Sequence, residues 1–256
     1  MTVSELYKKL NQRFPRELSC EWDNDGLMCC PDPEREVRRV LVALDVTAAV
    51  VEEAIQGGYD LIVSHHPLVF RPLKAIEPSH PVAKKCIRLL LAGISVMSFH
   101  TRLDAVEGGV NDVLAEALGL SEVTPFVGDD GCAIGRVGVL SRPMSLEDFV
   151  RSVKSVTGAD AVAYTDAGRE VLRVALLGGS GGDDVSAAER TGADTYLSGE
   201  LAHHYMTDAP ERGMNLVAAG HYETEQPVTR HIRQILLAED GTLLVDITES
   251  NPIKII

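Results

Sequence analysis

Two adjacent histidines, His65 and His66, stand in a β-rich segment at residues 60–67. Neighbouring side chains on an extended chain point to opposite sides, so one cation could hardly bind both imidazoles. Two cations a few ångströms apart could each bind one. Pro67 follows immediately and disfavours helical geometry at His66, which keeps the pair extended. The pair therefore indicates a site that holds two metal ions.

Later in the chain, a histidine and two carboxylates are candidates for the remaining ligands. His221 precedes Glu225 by four residues, and this spacing places both side chains on one face if the segment is helical. Asp104 follows His100 at the same spacing. Imidazole and carboxylate ligands suit Zn, Fe, Mn, Co or Ni, and the lack of thiolate gives no preference for soft metals. We predict two divalent ions per chain, held by His65, His66, Asp104, His221 and Glu225.

The secondary-structure elements that would position these residues alternate, from Val37 onward, between short β-rich segments and helical patterns. Such alternation is typical of a layered α/β fold, in which ligands bind just beyond the carboxyl ends of the strands. Strands are predicted at residues 37–45, 60–67, 95–104, 171–179, 193–200 and 215–225. Helices are predicted at residues 47–58, 83–94, 110–120, 145–156, 185–192 and 227–239.

The same order of elements occurs twice along the chain. Residues 54–66 match residues 188–200 at four positions, which are Ala54/Ala188, Gly58/Gly192, Asp60/Asp194 and Ser64/Ser198. Residues 93–104 resemble residues 213–225, because in both a glycine-led apolar strand ends in a histidine with a carboxylate four residues later. Two βαβ units can also resemble each other by chance. We favour an internal duplication.

The duplication predicts two α/β lobes related by a pseudo-two-fold axis, with a metal-containing cleft between them. Residues 1–124 form the first predicted lobe and residues 125–256 the second. The metal ligands divide between them, with His65, His66 and Asp104 in the first lobe and His221 and Glu225 in the second.

Two further residues stand where they could transfer protons. In the duplication, His100 takes the place of His221, and Glu200 takes the place of His66. His100 could act beside the metals, and Glu200 could act as a base or orient water. The alternatives are a cap on the turn for His100 and, for any single histidine, a hydrogen-bonded structural role. For the histidine pair at 203–204 we favour a structural or interface role.

Composition argues against several classes of partner. The 256 residues are 45% hydrophobic and 24% charged, which is typical of a chain that buries a core. Aromatic residues make up 5%, which argues against stacking platforms for single-stranded nucleic acid or sugars. A formal charge of −14 argues against a nucleic-acid partner, because binding to a phosphate backbone depends on cationic contacts.

The sequence also bears on the cellular compartment. Residues 1–14 show helical spacing rather than the pattern of a signal peptide, and no apolar segment approaches the length of a membrane span. The five cysteines form an odd set without a CxxC pair, which fits a reducing compartment. We therefore predict a cytoplasmic protein with no membrane partner.

Six short motifs occur in order: WDNDGL (22–27), LVALDVT (41–47), SHHPLVF (64–70), FHTRLD (99–104), GSG (179–181) and GHYETE (220–225). With this set the chain resembles, over nearly its whole length, the GTP cyclohydrolase 1 type 2 homolog family, also called the NGG-one-interacting-factor-three-like proteins. The resemblance implies a dinuclear centre in which His65, Asp104 and Glu225 hold one metal. His66, His221 and Glu225 would hold the other, so that Glu225 bridges the two ions.

The resemblance also implies two-lobed protomers that assemble into toroidal homohexamers, with the metal sites facing the interior. Some members carry a long inserted domain, and this chain resembles the compact form without it. Arg102 stands where the family often has Asn, and residues 28–30 stand where a small glycine-containing turn is common. We expect Arg102 to affect which anion the cleft favours.

Two functions are compatible with such a site. A metal-dependent hydrolase would use two cations to lower the pKa of a bridging water. That water would attack either the imidazole-ring carbon of guanine in a nucleotide such as GTP, which opens the ring, or a phosphoester. His100 or Glu200 would transfer the protons. The alternative is a non-catalytic, ring-shaped protein that binds metals and interacts with other proteins.

Overall fold

Helices and strands alternate along the chain in the computed structural model, which describes residues 1–255. The helices are α1 (Val3–Arg13), α2 (Ala48–Gln56), α3 (Pro81–Ala92), α4 (Thr101–Ala105), α5 (Val110–Ala117), α6 (Leu146–Thr157), α7 (Val185–Arg190), α8 (His203–Glu211), α9 (His221–Glu225) and α10 (Val228–Glu239). The strands are β1 (Gly26–Cys29), β2 (Arg39–Ala43), β3 (Leu61–Ser64), β4 (Ser95–Ser98), β5 (Ser121–Phe126), β6 (Gly135–Met144), β7 (Ala163–Thr165), β8 (Val171–Ser180), β9 (Thr195–Glu200), β10 (Asn215–Ala218) and β11 (Leu244–Ile247). They belong to two compact units.

The first unit comprises residues 1–103 and 229–252 and holds a five-stranded sheet in the order β1-β4-β3-β2-β11. Strands β4, β3, β2 and β11 are parallel, and β1 is antiparallel to β4. The strands β2, β3 and β4 are buried along almost their whole length, as expected for parallel strands covered on both faces. Their apolar side chains pack with those of α2 and α3, as in the cluster of Leu41, Val50, Ile62, Leu89 and Val96. The carboxyl ends of these strands share one edge of the sheet.

The second unit comprises residues 104–228 and the end of the chain from Ile253, and it holds a six-stranded sheet in the order β5-β6-β8-β9-β10-β7. Strands β8, β9 and β10 are parallel, and the other neighbouring pairs are antiparallel. Helices α5 and α6 pack on this sheet through a cluster that includes Leu114, Phe149, Leu176, Leu197 and Val217. The carboxyl ends of the three parallel strands again share one edge.

The two units repeat the same βαβαβ order, β2–α2–β3–α3–β4 and β8–α7–β9–α8–β10. The repeat extends to single hydrogen bonds. The Asp60 carboxylate accepts the backbone N–H groups of residues 38–39, both at 3.0 Å, and the Asp194 carboxylate accepts those of residues 172–173 at 3.0 and 2.7 Å. In each unit, the aspartate just before the middle parallel strand, β3 or β9, thus fixes the start of the neighbouring strand, β2 or β8. The predicted fold class of two pseudo-repeated α/β lobes is confirmed.

The boundary between the units differs from the predicted division at residue 124. Residues 104–124 belong to the second unit, because α5 and β5 pack on β6 and β8. Most of the last helix and β11 belong to the first unit, because β11 pairs in parallel with β2 through Val245 and Val40. A return of the chain to the first sheet depends on a pairing between distant residues, which no local pattern encodes.

Two of the predicted strands are shorter than expected and end in a helical turn. The segment predicted as a strand at 95–104 is β4 up to Ser98 followed by α4, and the segment at 215–225 is β10 up to Ala218 followed by α9. The condition for placing His221 and Glu225 on one face is therefore met. Strands β1, β5, β6, β7 and β11 were not predicted; all except β6, which lies between β5 and β8, are at an edge of their sheet. No helix within residues 1–255 combines the length and apolar character that a membrane span requires.

We predict that Asp60→Ala lowers the free energy of unfolding by about 1–3 kcal/mol, because two strand amides lose their acceptor. Burial raises the pKa of Asp60, but hydrogen bonds from Arg39, Arg35 and Arg38 outweigh burial and hold the pKa below its ordinary value of 3.8. A carboxyl whose pKa is lowered by folding stabilises the protein above the unfolded pKa, and this stabilisation is lost as the pH falls through the folded pKa. Urea unfolding at about pH 6 and about pH 3 measures both effects.

The exposed Asp160→Ala is the matched control and should leave the unfolding midpoint nearly unchanged. The difference between wild type and Asp60→Ala should shrink at the lower pH. A difference that stays constant across this range would contradict a role for the ionised carboxylate.

Candidate metal centre

Three histidines lie at the carboxyl edge of the first sheet. His65 and His66 follow β3, and His100 follows β4 after one intervening residue. One ligand nitrogen from each ring lies within 4.8 Å of the others. His65 is fully buried, whereas His66 and His100 are partly exposed. We call these three residues the histidine cluster, and three imidazole nitrogens at this spacing could hold a divalent cation.

Hydrogen bonds fix the orientation of the two adjacent rings. Nδ1 of His65 lies 3.0 Å from the carbonyl oxygen of Phe99, and Nδ1 of His66 lies 2.8 Å from Oδ1 of Asp45. A carbonyl can only accept a hydrogen bond, so Nδ1 of His65 carries the proton and Nε2 carries the lone pair. The carboxylate of Asp45, just after β2, has the same effect on a neutral His66. Both rings therefore present Nε2 for a metal.

His100 is held by a buried aspartate from the WDN motif. Nδ1 of His100 lies 2.8 Å from Oδ1 of Asp23, and Oδ2 of Asp23 accepts both the backbone N–H and the hydroxyl of Thr101, at 3.0 and 2.6 Å. Burial is the largest single influence and raises the pKa of Asp23, but hydrogen bonds and charge from His100 and Thr101 lower the pKa to about 2. Asp23 is thus an anion at neutral pH and fixes the ring of His100.

The second unit carries an imidazole–carboxylate pair at the corresponding edge of its own sheet. His221 begins α9, directly beyond β10, and its Nε2 lies 3.2 Å from Oε2 of Glu225 one helical turn later. Nδ1 of His221 lies 3.2 Å from Oε2 of Glu200, the last residue of β9. Glu225 is buried, and Glu200 is exposed. Asp104 also belongs to this unit and is buried in α4.

A glycine-containing turn at the end of β8 shapes the space around this pair. A Cβ atom on Gly179 would lie 2.1 Å from Oε1 of Glu225 and 3.1 Å from Nε2 of His221, so only glycine permits this approach. Gly179 also has φ +68°, which other residues adopt at a cost. The amides of Gly178 and Gly179 donate to Asn111 Oδ1 and Thr224 Oγ1 at 2.8 and 3.0 Å. These amides are therefore used within the protein, and the turn packs against α9.

The predicted residues fall into two sets, one in each unit. The first unit brings together His65, His66 and His100, and the second brings together His221, Glu225 and Glu200. Neutral imidazoles with Nδ1 held by an acceptor, together with a buried carboxylate, fit divalent first-row metals. A single dinuclear centre made from both sets, and proton transfer by His100 or Glu200, stay predictions.

Sequence patterns missed the two aspartates that orient the histidines. Asp23 lies outside any predicted strand or helix, and Asp45 is the last residue of the strand predicted at 37–45, although β2 ends at Ala43. Their positions within WDNDGL and LVALDVT were the signal that could have identified them. His203 and His204 are exposed at the start of α8.

Arg102 does not take the role expected for it. The side chain is fully buried, and its guanidinium donates to Asp25 Oδ2 at 2.8 Å, Asn11 Oδ1 at 2.7 Å and the carbonyl oxygen of Phe14 at 3.0 Å. Arg102 therefore joins α1 and the residue after it, Phe14, to Asp25 directly before β1, inside the first unit, and donates to internal acceptors rather than to a bound anion. Its substitution for Asn is balanced by these partners.

Comparisons with known proteins extend through both units. A family model described as Duf34/NIF3 (NGG1p interacting factor 3) matches residues 1–253. A Clostridium perfringens protein named GTP cyclohydrolase 1 type 2 homolog is 34% identical over 234 residues, which cover 89% of this chain and 88% of that protein. Protein NIF3 homolog of Schizosaccharomyces pombe is 32% identical over 271 residues, with coverage of 98% and 96%. The crystal structure of Staphylococcus aureus protein SA1388 matches with a TM-score of 0.90 at 25% identity, covering 100% of this chain and 99% of that one.

We predict that Asp45→Ala weakens metal binding by about 10- to 100-fold, because the ring of His66 loses the acceptor that orients it. Asp45→Asn keeps an acceptor oxygen and should lose less affinity. Competition with a chromophoric chelator for Zn²⁺ measures the affinity of each variant. Glu34→Ala removes an exposed carboxylate from the same unit and is the matched control. Equal affinities for Asp45→Ala and wild type would show that His66 needs no such support.

Proposed function

Because the chain belongs to the Duf34/NIF3 family, we propose that it is a metal-dependent hydrolase that holds two divalent cations per chain. The observation that carries the proposal is the orientation of His65 and His66, whose Nδ1 atoms are held by an acceptor, so that Nε2 is the atom of each ring that would bind a metal. The partly exposed His221 and the buried Glu225 would supply the mixed ligands that such a centre needs.

In this proposal the two sets of residues meet in one dinuclear centre. His65, Asp104 and Glu225 would hold one cation, and His66, His221 and Glu225 would hold the other. The assignment of His65 and His66 to different ions follows the family resemblance. The buried Glu225 would serve both ions, because a carboxylate has two oxygens.

Two residues near the proposed ligands would transfer protons and orient a ligand ring. When bound, the two cations supply Lewis acidity and make water a stronger acid near neutral pH. His100, held by the Asp23 anion, would accept or return a proton beside His65 and His66. Glu200 contacts Nδ1 of His221, so it orients that ring and, being exposed, could exchange protons with solvent.

The substrate class follows from the relatives and from the chemistry of the ligand set. Relatives named GTP cyclohydrolase 1 type 2 homolog support a nucleotide such as GTP, with hydrolytic opening of the guanine imidazole ring. Hydrolysis of a phosphoester would use the same residues. We also propose assembly into a homohexamer, in line with the family resemblance, which the mass in solution would test.

We predict that His221→Ala reduces the metal content from two ions per chain to about one, because the second ion loses a ligand that no neighbouring residue replaces. Inductively coupled plasma mass spectrometry of the purified protein measures the ratio. His203→Ala, an exposed histidine in the same unit, is the control and should leave the ratio unchanged. Unchanged metal content in His221→Ala would refute the assignment of this ligand.

We predict that Glu225→Gln reduces hydrolysis of GTP or of a simple phosphoester by roughly 100-fold or more, because both ions lose their shared anion. Turnover is measured on protein loaded with Zn²⁺, Mn²⁺ or Co²⁺, with folding checked by circular dichroism. The exposed Glu211→Gln is the matched control. Full metal loading of the wild type without turnover on any of these substrates would instead favour the non-catalytic, metal-binding alternative.

A further inference from the structure

Two exposed aromatic side chains stand beside the histidine cluster. Trp22 is 53% exposed and Phe70 is 43% exposed, although both are large and apolar. Their ring centroids are 6.2 Å apart with an interplanar angle of 79°. The ring of His100 lies 6.2 Å from that of Trp22 and 6.0 Å from that of Phe70. The surface next to His100 is therefore an aromatic one, which water does not favour.

Hydrogen bonds hold this aromatic pair in place from both sides. Asn24, two residues after Trp22, donates from Nδ2 to the carbonyl oxygen of Val69, the residue before Phe70, at 2.5 Å. Asp23 lies between Trp22 and Asn24 and is bonded to His100. Because both loops are fixed relative to His100, the aromatic pair is built into the fold and needs little ordering when a ligand binds.

A cavity of about 700 Å³ begins at Phe70 and continues along the loop that leads to α3. This volume is in the range of small-molecule sites. Its charged and polar lining is Arg71, Lys74, Glu77, His80 and Lys85. Three cationic side chains against one carboxylate give the cavity a positive balance in a chain whose formal charge is −14. A positive cavity on an acidic protein favours an anionic ligand.

The individual side chains indicate which of them can bind that anion. Nζ of Lys85 is half-buried and donates to the carbonyl oxygen of Val46 at 2.6 Å, so it is already committed within the fold. Arg71 and Lys74 are exposed on the cavity wall. Arg71 directly follows Phe70 and lines the same cavity, and a guanidinium is well suited to bind a phosphate.

We propose that Trp22 and Phe70 bind a planar heteroaromatic ring beside His100, and that Arg71 and Lys74 bind the phosphate of the same molecule. The ligand class is thus a phosphorylated heteroaromatic compound such as a nucleotide, rather than a small phosphoester that lacks a ring. A single aromatic pair suits one ring and not a run of stacked bases. This binding site rests on the proposed function in one respect, which is that the bound nucleotide is taken to be the substrate of the hydrolase.

Trp22 allows binding to be observed directly, because it is the single tryptophan of the chain. The metal-loaded protein is titrated with GTP, guanosine and pyrophosphate, and the fluorescence of Trp22 is followed. GTP and guanosine should quench the emission by contact with the indole. Pyrophosphate should not quench it but should compete with GTP.

Variants separate the two parts of the site. Phe70→Ala should raise the Kd for both GTP and guanosine by about tenfold or more, because one stacking partner is lost, whereas Phe70→Tyr should restore binding. The double variant Arg71→Ala/Lys74→Ala should raise the Kd for GTP by about tenfold and leave guanosine unaffected. Lys84→Ala, an exposed cation on α3 that does not line the cavity, is the matched control.

The outcomes distinguish this inference from the proposed function. Quenching that depends on Phe70 but comes without turnover supports the binding site and contradicts the hydrolase. Turnover of GTP without quenching, and with Phe70→Ala equal to wild type, overturns the binding site and leaves the hydrolase standing. Competition by pyrophosphate with no effect of guanosine at any concentration would also overturn the assignment of the aromatic pair.

Discussion

The candidate site depends on one constraint, which is that each histidine at the carboxyl edge of the first sheet has Nδ1 held by an acceptor. The acceptors differ, a backbone carbonyl for His65 and the carboxylates of Asp45 and Asp23 for His66 and His100. An imidazole that is fixed in this way presents Nε2 without a choice of tautomer or rotation. Since the acceptors lie just after β2, just after β4 and in the loop before β1, the positions of the ligand nitrogens depend on the parallel sheet being formed.

The two units use the same scaffold for different chemistry. Asp60 and Asp194 fix the same strand starts in the two repeats, and each repeat ends its middle strand next to the candidate site. At that end the first unit has histidines and the second has Glu200, with His221 and Glu225 one strand further on. The two repeats share the hydrogen bonds that build the sheet, whereas the polar residues at the strand ends differ.

The sequence was sufficient to predict the parallel strands β2, β3, β4, β8, β9 and β10 and most of the helices between them, because buried strands such as LIVS at 61–64 are short continuous apolar runs and the amphipathic helices show helical periodicity. It also predicted the metal-ligand residues as candidates, because histidines at the end of an apolar strand are an unusual pattern. It did not predict β11 in the first sheet, since the pairing of Val245 with Val40 depends on a return over about two hundred residues that leaves no local trace. Asp23 and Asp45 were missed for a related reason: their importance lies in which ring they contact, and a loop carboxylate has no periodicity.

Composition was a weaker guide than local structure. An aromatic content of 5% and a charge of −14 argue against stacking platforms for single-stranded nucleic acid or sugars and against a nucleic-acid partner, and both arguments concern the chain as a whole. Near the histidine cluster the balance is reversed, because Trp22 and Phe70 are exposed and Arg71, Lys74 and Lys85 line one cavity. A small ligand responds to the side chains within a few ångströms, since charges further away are screened by salt over about 8–10 Å. The acidic remainder of the surface then acts against long polyanions, while the local cations can still bind one phosphorylated molecule.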